Sequence, residues 1–291
     1  MAGKEKEKKN NDCHCQGNRA GTGVLGSQIA YQTAFSGFEV TAYDINDNIL
    51  AKAKTRFEGL VASYKTDGVE GAAEGKADAA LDRIRYSSDL ADAVRDADLV
   101  IEAIPEVLAL KQQTYEQLGK VAPAKTIFAT NSSTPLPSDL KDFTGRPKKF
   151  LALHFANQVW KFNTAEVMGT ADTDPAVFDE IVAFAGEIGM VPIPIHKEKA
   201  GYVLNSPLVP FLNAGYAEPK DIDNVWRIAT GAPMGPFQIT DIIGLTTPYN
   251  ILSNAGAESK PLADWIKTNY IDKGKLGVAT GEGFYSYDTS K

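Results

Sequence analysis

The chain predicts an α/β fold, a doubly wound parallel sheet followed by a smaller all-α unit. Three observations carry this. A glycine-punctuated turn, GTGVLG at residues 21 to 26, opens a run of helical spacing that leads to a β-branched run ending on Asp44. Short apolar runs then alternate with helical stretches to about residue 196, the pattern of strands joined by crossover helices. Beyond residue 197 helical spacing continues between Gly and Pro punctuation, and no convincing strand pattern returns. The chain therefore divides into residues 1–20, a disordered or aberrant lead, residues 21–196, the sheet domain, and residues 197–291, a helical domain.

Composition narrows the function classes. A hydrophobic content of 43% and a charged content of 23% are those of a soluble globular protein. No apolar run approaches the ~20 residues that span a bilayer, so no membrane partner is expected. The N-terminus, MAGKEKEKKNN, lacks the apolar core of a signal peptide. Two cysteines, Cys13 and Cys15, cannot build a disulfide framework, which fits a reducing cytoplasm. A formal charge of −7 argues against a nucleic-acid partner, while an anionic small molecule stays open because only the local field matters to it.

The lead contains an anomaly. Residues 1–12 are rich in lysine and asparagine and read as disordered. A glycine turn of this kind should follow a buried apolar strand, yet residues 13 to 20 read CHCQGNRA. Cys13, His14 and Cys15 are too tightly spaced for a metal site and have no partner cluster, so no metal is expected. The genetic code offers another account. Read one nucleotide later, the codons of Asn11, Asp12, Cys13, His14 and Cys15 encode only Met/Thr, Thr/Ile, Val/Ala, Ile/Thr and Val/Ala, and MTVIA is a good strand. The expectation is a local reading-frame slip that erased the first strand, which the nucleotide sequence would test.

The turn itself follows a physical logic. Gly21 makes the tight bend, Gly23 lets the main chain approach a pyrophosphate, and Gly26 lets helix and strand pack closely. The phosphates would lie at the positive N-terminus of the helix opened by Val24 and Leu25. Asp44 stands where a carboxylate can take both hydroxyls of an adenosine ribose and repel a 2′-phosphate. The fold is then Rossmann-type and the cofactor NAD rather than NADP.

Further along, residues 47 to 65 show helical spacing, with Ile49, Leu50, Ala53, Phe57, Leu60, Val61 and Tyr64 on one side. Lys52, Lys54, Arg56 and Lys65 decorate that helix as a solvated face or an anion-binding edge. Residues 68 to 82 are a weak helix. Strands are expected at 84–87, 99–104, 126–130, 149–155 and 191–195, and helices at about 107–121 and 175–188. Thr173 or Asp174 can cap the latter helix, with Pro175 in its first turn. The final helices fall at 200–214, 221–229, 237–243, 249–254 and 262–272.

Ligands in such folds sit beyond the carboxyl ends of the strands. Three segments end strands there: IEAIPE with Glu102 and Glu106, TNSST at 130–134, and LHFAN with His154 and Asn157. A histidine at a strand mouth is either a core residue or a general base, and its position favours the base.

The ordered set GTGVLG, ADLVIEAIPE, TNSST, LHFAN, EVMG, GYVLNS, GAPMGPFQITDIIGL and GVATGEGFYSY resembles the L-3-hydroxyacyl-CoA dehydrogenase family, from Gly21 to Tyr287. The resemblance implies reversible oxidation of a 3-hydroxyacyl-CoA to the 3-oxoacyl-CoA by NAD. It implies His154 as catalytic base, Glu166 as its paired carboxylate, and Ser133 and Asn205 as substrate-binding groups. Glu106 and Lys111 would lie near the nicotinamide side of the cofactor, Asn131 would also bind the cofactor, and a homodimer would form through the C-terminal domain. Four departures stand out. The loop after His154 reads HFANQVWKFNTAEVMG, with no proline after Asn157 and with Trp160, which points to an outlying branch with a different acyl group or none carried on CoA. Ser206 replaces a frequent arginine, the helix after Asn205 is about two turns short, and the first strand is missing. The alternatives are a non-catalytic or defective dinucleotide-binding relative, or a dehydrogenase of a non-CoA 3-hydroxy acid.

Overall fold

The computed structural model describes residues 17–198, 200 and 219–287. Its centre is one sheet with strand order β3-β2-β1-β4-β5-β6-β7-β8. The strands are β1 (Gly17–Ala20), β2 (Val40–Tyr43), β3 (Ile84–Ser87), β4 (Leu99–Glu102), β5 (Ile127–Thr130), β6 (Phe150–Phe155), β7 (Thr164–Gly169) and β8 (Val191–Ile195). Helices α1 (Val24–Phe35), α2 (Asp47–Thr66), α3 (Leu90–Val94), α4 (Leu108–Val121) and α5 (Pro175–Glu187) connect them. Alternate residues of each central strand feed opposite faces. Leu99, Ile101, Ile127, Leu151 and Leu153 join Ile29, Ile181 and Phe184 on one side. Val100, Phe128 and Phe150 pack with Tyr115, Leu118 and Leu140 on the other. Burial on both faces explains why these strands read as continuous apolar runs.

Two expectations about the sheet are corrected. First, the strand thought to be erased has a successor: GNRA at 17–20 lies between β2 and β4, Gly17 opposite Val40 and Leu99, Ala20 opposite Tyr43 and Glu102. A parallel ladder is built from main-chain N–H and C=O groups, and this segment, free of proline, supplies them whatever its side chains. Residues 11–15, where the frame slip was placed, lie outside the described residues, as do the 1–12 tail and the Cys13–Cys15 cluster. Second, the sheet is not wholly parallel. β7, which the sequence reading passed over, runs antiparallel to β6. Only the loop 156–163 joins them, with no crossover helix, and a short connection returns the chain alongside in the opposite sense.

Smaller differences have local causes. The weak helix at 68–82 is a broken run, a π-turn at Ala72–Lys76 and short helical pieces after it, because Gly71 and Gly75 adopt positive φ. Asp174, not Thr173, caps α5 by accepting from the Ala176 N–H, while Thr173 bonds the Phe150 carbonyl.

After the sheet come α6 (Pro219–Thr230), α7 (Pro236–Ile243), α8 (Thr246–Asn254) and α9 (Lys260–Asn269), around Leu245, Leu252, Leu262 and Ile266. Two buried aspartates pin this unit. Asp223 accepts from the Phe237 and Gln238 N–H groups and the Tyr285 hydroxyl, and Asp241 from the Phe284 and Tyr285 N–H groups and the Tyr287 hydroxyl. A Cβ on Gly235 or Gly283 would run into these carboxylates, which explains the second glycine of GAPMGPF and of GEGFYSY. Of the helix expected at 200–214 all but residue 200 lies outside the described residues, Asn205 and Ser206 included. Among the described residues no helix is long and apolar enough to cross a membrane.

Candidate active site

The turn after β1 meets the end of β4 at the point where strand order reverses, the crevice where such sheets hold ligands. Gly21 has φ +101°, and a Cβ there would lie 2.6 Å from the Ala103 carbonyl oxygen. Gly26 faces the Gly21 carbonyl with no room for a side chain. A Cβ on Gly23 would meet no protein atom within 4 Å, so the glycine there leaves space in front of the turn. Gly23 is also the N-cap of α1 and makes no side-chain cap bond, and α1 has no acid in its first turn. Val24, 43% exposed, and the half-buried Leu25 follow it. Helix amides without a side-chain acceptor, behind a bare main chain, suit a pyrophosphate. On the far side of the turn stands the half-buried Asp44. Its Oδ2 accepts from both the N–H (2.8 Å) and the hydroxyl (2.7 Å) of Thr22, and its Oδ1 from the Ile45 N–H (2.9 Å). The carboxylate is thus partly engaged by protein, and Oδ1 is the oxygen with capacity left for a ribose. The residues present therefore fit the adenosine and pyrophosphate portions of NAD.

At the mouths of β4, β5 and β6 a second constellation forms. His154 on β6 and Glu166 on β7 are direct cross-strand partners, both buried, with Nδ1 of the imidazole 2.8 Å from Oε2 of the carboxylate. An ionised carboxylate only accepts, so Nδ1 carries the proton and Nε2 presents its lone pair. That nitrogen lies 3.1 Å from the Ser133 hydroxyl. Asn131 holds the strand mouth together, its side-chain oxygen accepting from the Phe155 N–H at 3.0 Å.

Beneath Ser133 lies a buried charge cluster. Lys111, 1% exposed, donates to Glu102 at 2.6 Å and stands 3.3 Å from Glu106. Burial alone would lower its pKa, but the two carboxylates outweigh that and hold it above the ordinary lysine value. The other oxygen of Glu106 accepts from the Ser133 and Thr134 N–H groups at 2.7 and 2.9 Å. Glu106 therefore shapes the turn that aims Ser133 at the imidazole. Asn254 on α8 donates to the Glu106 carbonyl at 2.6 Å, so the helical unit touches this turn directly.

The structure thus gathers Ser133, His154, Glu166, Glu106, Lys111 and Asn131 in one place and Gly21, Gly23, Val24, Leu25, Gly26 and Asp44 around the glycine turn, while Asn205 lies outside the described residues. Sequence reasoning missed Gln28. Its amide on α1 donates to Asn157 Oδ1 at 2.8 Å and accepts from the Gln158 N–H at 2.7 Å, tying the glycine-turn helix to the loop between His154 and Glu166. The available signal was a pair of glutamines four residues apart, Gln28 and Gln32, in a helix without a charged residue. Gln158 has φ +58° in that loop. The unusual Trp160 and Lys161 are accounted for too: the indole N–H and the ammonium both bind Asp67 at the end of α2, at 2.7 and 2.9 Å. No group of three or more candidate metal ligands occurs among the described residues.

Comparison with known proteins gives the geometry its setting. Residues 20–199 match the NAD-binding domain model of 3-hydroxyacyl-CoA dehydrogenase, and residues 201–287 match its C-terminal domain model. The mitochondrial hydroxyacyl-coenzyme A dehydrogenase of Rattus norvegicus is 34% identical over 92% of this chain and 89% of its own. A solved diketoreductase, described for substrate-directed dual catalysis of dicarbonyl compounds, is 64% identical with a TM-score of 0.78, covering 94% of this chain and 99% of its own. The (S)-3-hydroxybutyryl-CoA dehydrogenase PaaH1 of Ralstonia eutropha is 27% identical with a TM-score of 0.75, over 94% and 99% of the two chains. The chain belongs to the 3-hydroxyacyl-CoA dehydrogenase family and is an NAD-dependent oxidoreductase.

Proposed function

We propose that this enzyme interconverts a 3-hydroxy and a 3-oxo group lying next to a second carbonyl, with His154 as general base. The observation that carries this is the chain Glu166–His154–Ser133 at the strand mouths, its imidazole and carboxylate buried and its hydroxyl half-buried. NAD, when bound, supplies the hydride acceptor. The protein's own residues handle the proton. Nε2 of His154 accepts it from the C3 hydroxyl, and Glu166 fixes the ring and favours the imidazolium that forms. Ser133 donates to the oxygen that becomes the carbonyl, its main chain held by Glu106. In the reduction direction the same imidazolium returns the proton.

A 3-oxoacyl-CoA is one member of this substrate class. The 64% likeness to a diketoreductase, well above that to the acyl-CoA enzymes, supports a free dicarbonyl compound as the preferred member, and so does the departure of the loop 156–163. Consumption of NADH with acetoacetyl-CoA and with 2,4-pentanedione separates the two. Turnover of either, lost by about 10²–10⁴-fold in His154→Ala, supports the reaction. Folded wild-type protein that binds NADH and turns over neither would refute it. The same reading divides the chain at 196/197 and has it act in the cytoplasm as a homodimer through the helical domain, which light scattering tests.

A further inference from the structure

We infer that Thr22 is a positioning residue for cofactor choice, acting through Asp44; this rests on the reading that Asp44 meets the adenosine ribose. Thr22 is the middle residue of Gly21–Thr22–Gly23 and is buried. All its polar atoms are committed. The N–H and the hydroxyl both donate to Oδ2 of Asp44, and the carbonyl accepts from Ser27 Oγ and from Arg56 Nη1, each at 2.9 Å. One residue thereby joins the glycine turn to the end of β2, to α1 and to α2.

The consequence follows from lone pairs. A carboxylate oxygen accepts about two hydrogen bonds, and Thr22 fills Oδ2. The carboxylate cannot rotate without breaking both bonds, so Oδ1 is held outward, half-engaged by the Ile45 N–H, beside a side chain 73% exposed. A ribose hydroxyl finds that oxygen already aimed, whereas a 2′-phosphate finds a fixed negative charge. A residue without a hydroxyl at position 22 would leave Oδ2 one bond short and the carboxylate held by main-chain N–H groups alone, hence less firmly aimed. The glycine-turn pattern asks nothing of this position, so the threonine hydroxyl is a feature of this chain's own recognition.

Calorimetric titration with ADP-ribose and with 2′-phospho-ADP-ribose tests the inference without turnover. For Thr22→Val and Thr22→Ala we expect ADP-ribose to bind about 10-fold more weakly and the 2′-phospho ligand to change little, narrowing the preference by the same factor. Thr22→Ser should restore the wild-type ratio. Melting curves identify which variants are folded. Equal weakening of both ligands, unchanged ADP-ribose binding in a folded variant, or a serine variant that behaves like the valine one would each overturn the inference. Asp44→Ala separates the two layers: if it leaves ADP-ribose binding intact, the reading of Asp44 itself fails. If it weakens binding while Thr22→Val does not, only the role of Thr22 falls.

Discussion

At the residue scale, the proposed reaction depends on the tautomer of His154, and one oxygen imposes that tautomer. Glu166 only accepts, so it holds the proton on Nδ1 and leaves Nε2 open towards Ser133. In Glu166→Gln the amide can donate to Nδ1 and shift the proton to Nε2. We expect kcat to fall by roughly 10²–10⁴-fold with little change in NADH affinity, read by steady-state kinetics beside fluorescence titration. A folded variant retaining near-normal kcat would remove the carboxylate from the mechanism. The histidine was legible in the sequence because it ends an apolar run. Glu166 was legible only through resemblance, since nothing in a twelve-residue spacing says that two side chains face each other. Gln28 and Thr22 went unread for a related reason: their partners Asn157 and Asp44 are far along the chain, and polar pairing leaves no periodic trace.

At the element scale, the strands that are buried on both faces were legible, and the edges of the pattern were not. LVIEAI, TIFAT and KFLALHF announce themselves by apolar continuity, whereas TAEVMG breaks that continuity with Glu166 and follows a loop rather than a helix. GNRA gives no strand signal at all because its place is defined by the backbones of β2 and β4. The loop 156–163 has a weakness of its own. Hydrogen bonds from Trp160, then Lys161, hold the Asp67 carboxyl below the usual range. A carboxyl with a depressed folded pKa stabilises above its unfolded value, and the contribution is lost as pH falls through the folded one. Asp67→Ala should thus lower the melting temperature at pH 7, and the gap from wild type should close below about pH 4. A gap independent of pH would mean that the carboxylate charge is irrelevant there.

At the scale of the whole molecule, the helical unit is locked by two buried aspartates that receive tyrosine hydroxyls. Burial first, and then the bonds to Asp223 and Asp241, push the phenols of Tyr285 and Tyr287 well above the ordinary value. The folded state therefore keeps protons that the unfolded chain releases near pH 10, so stability is full below that pH and declines above it. Thermal melts between pH 8 and 11 should show this decline, reduced in the double variant Tyr285→Phe, Tyr287→Phe. An unchanged slope would contradict the assignment. The order of the motifs conveyed this two-part layout well, because each part has its own hydrophobic period. The contact of Asn254 with the Glu106 turn was invisible, being a single bond between segments that no pattern links.

The antiparallel pairing of β6 and β7 carries a consequence for how such an enzyme can change. Opposed residues on neighbouring strands keep a fixed spacing of about 5 Å set by the ladder, whatever the ribbon does at its tip. In the proposed reaction the proton relay rides on the rungs, and the loop 156–163, whose departure supports the dicarbonyl reading, is the tip. One hairpin thus lets reaction and selectivity diverge independently, so a lineage can exchange what it acts upon while leaving untouched how it acts.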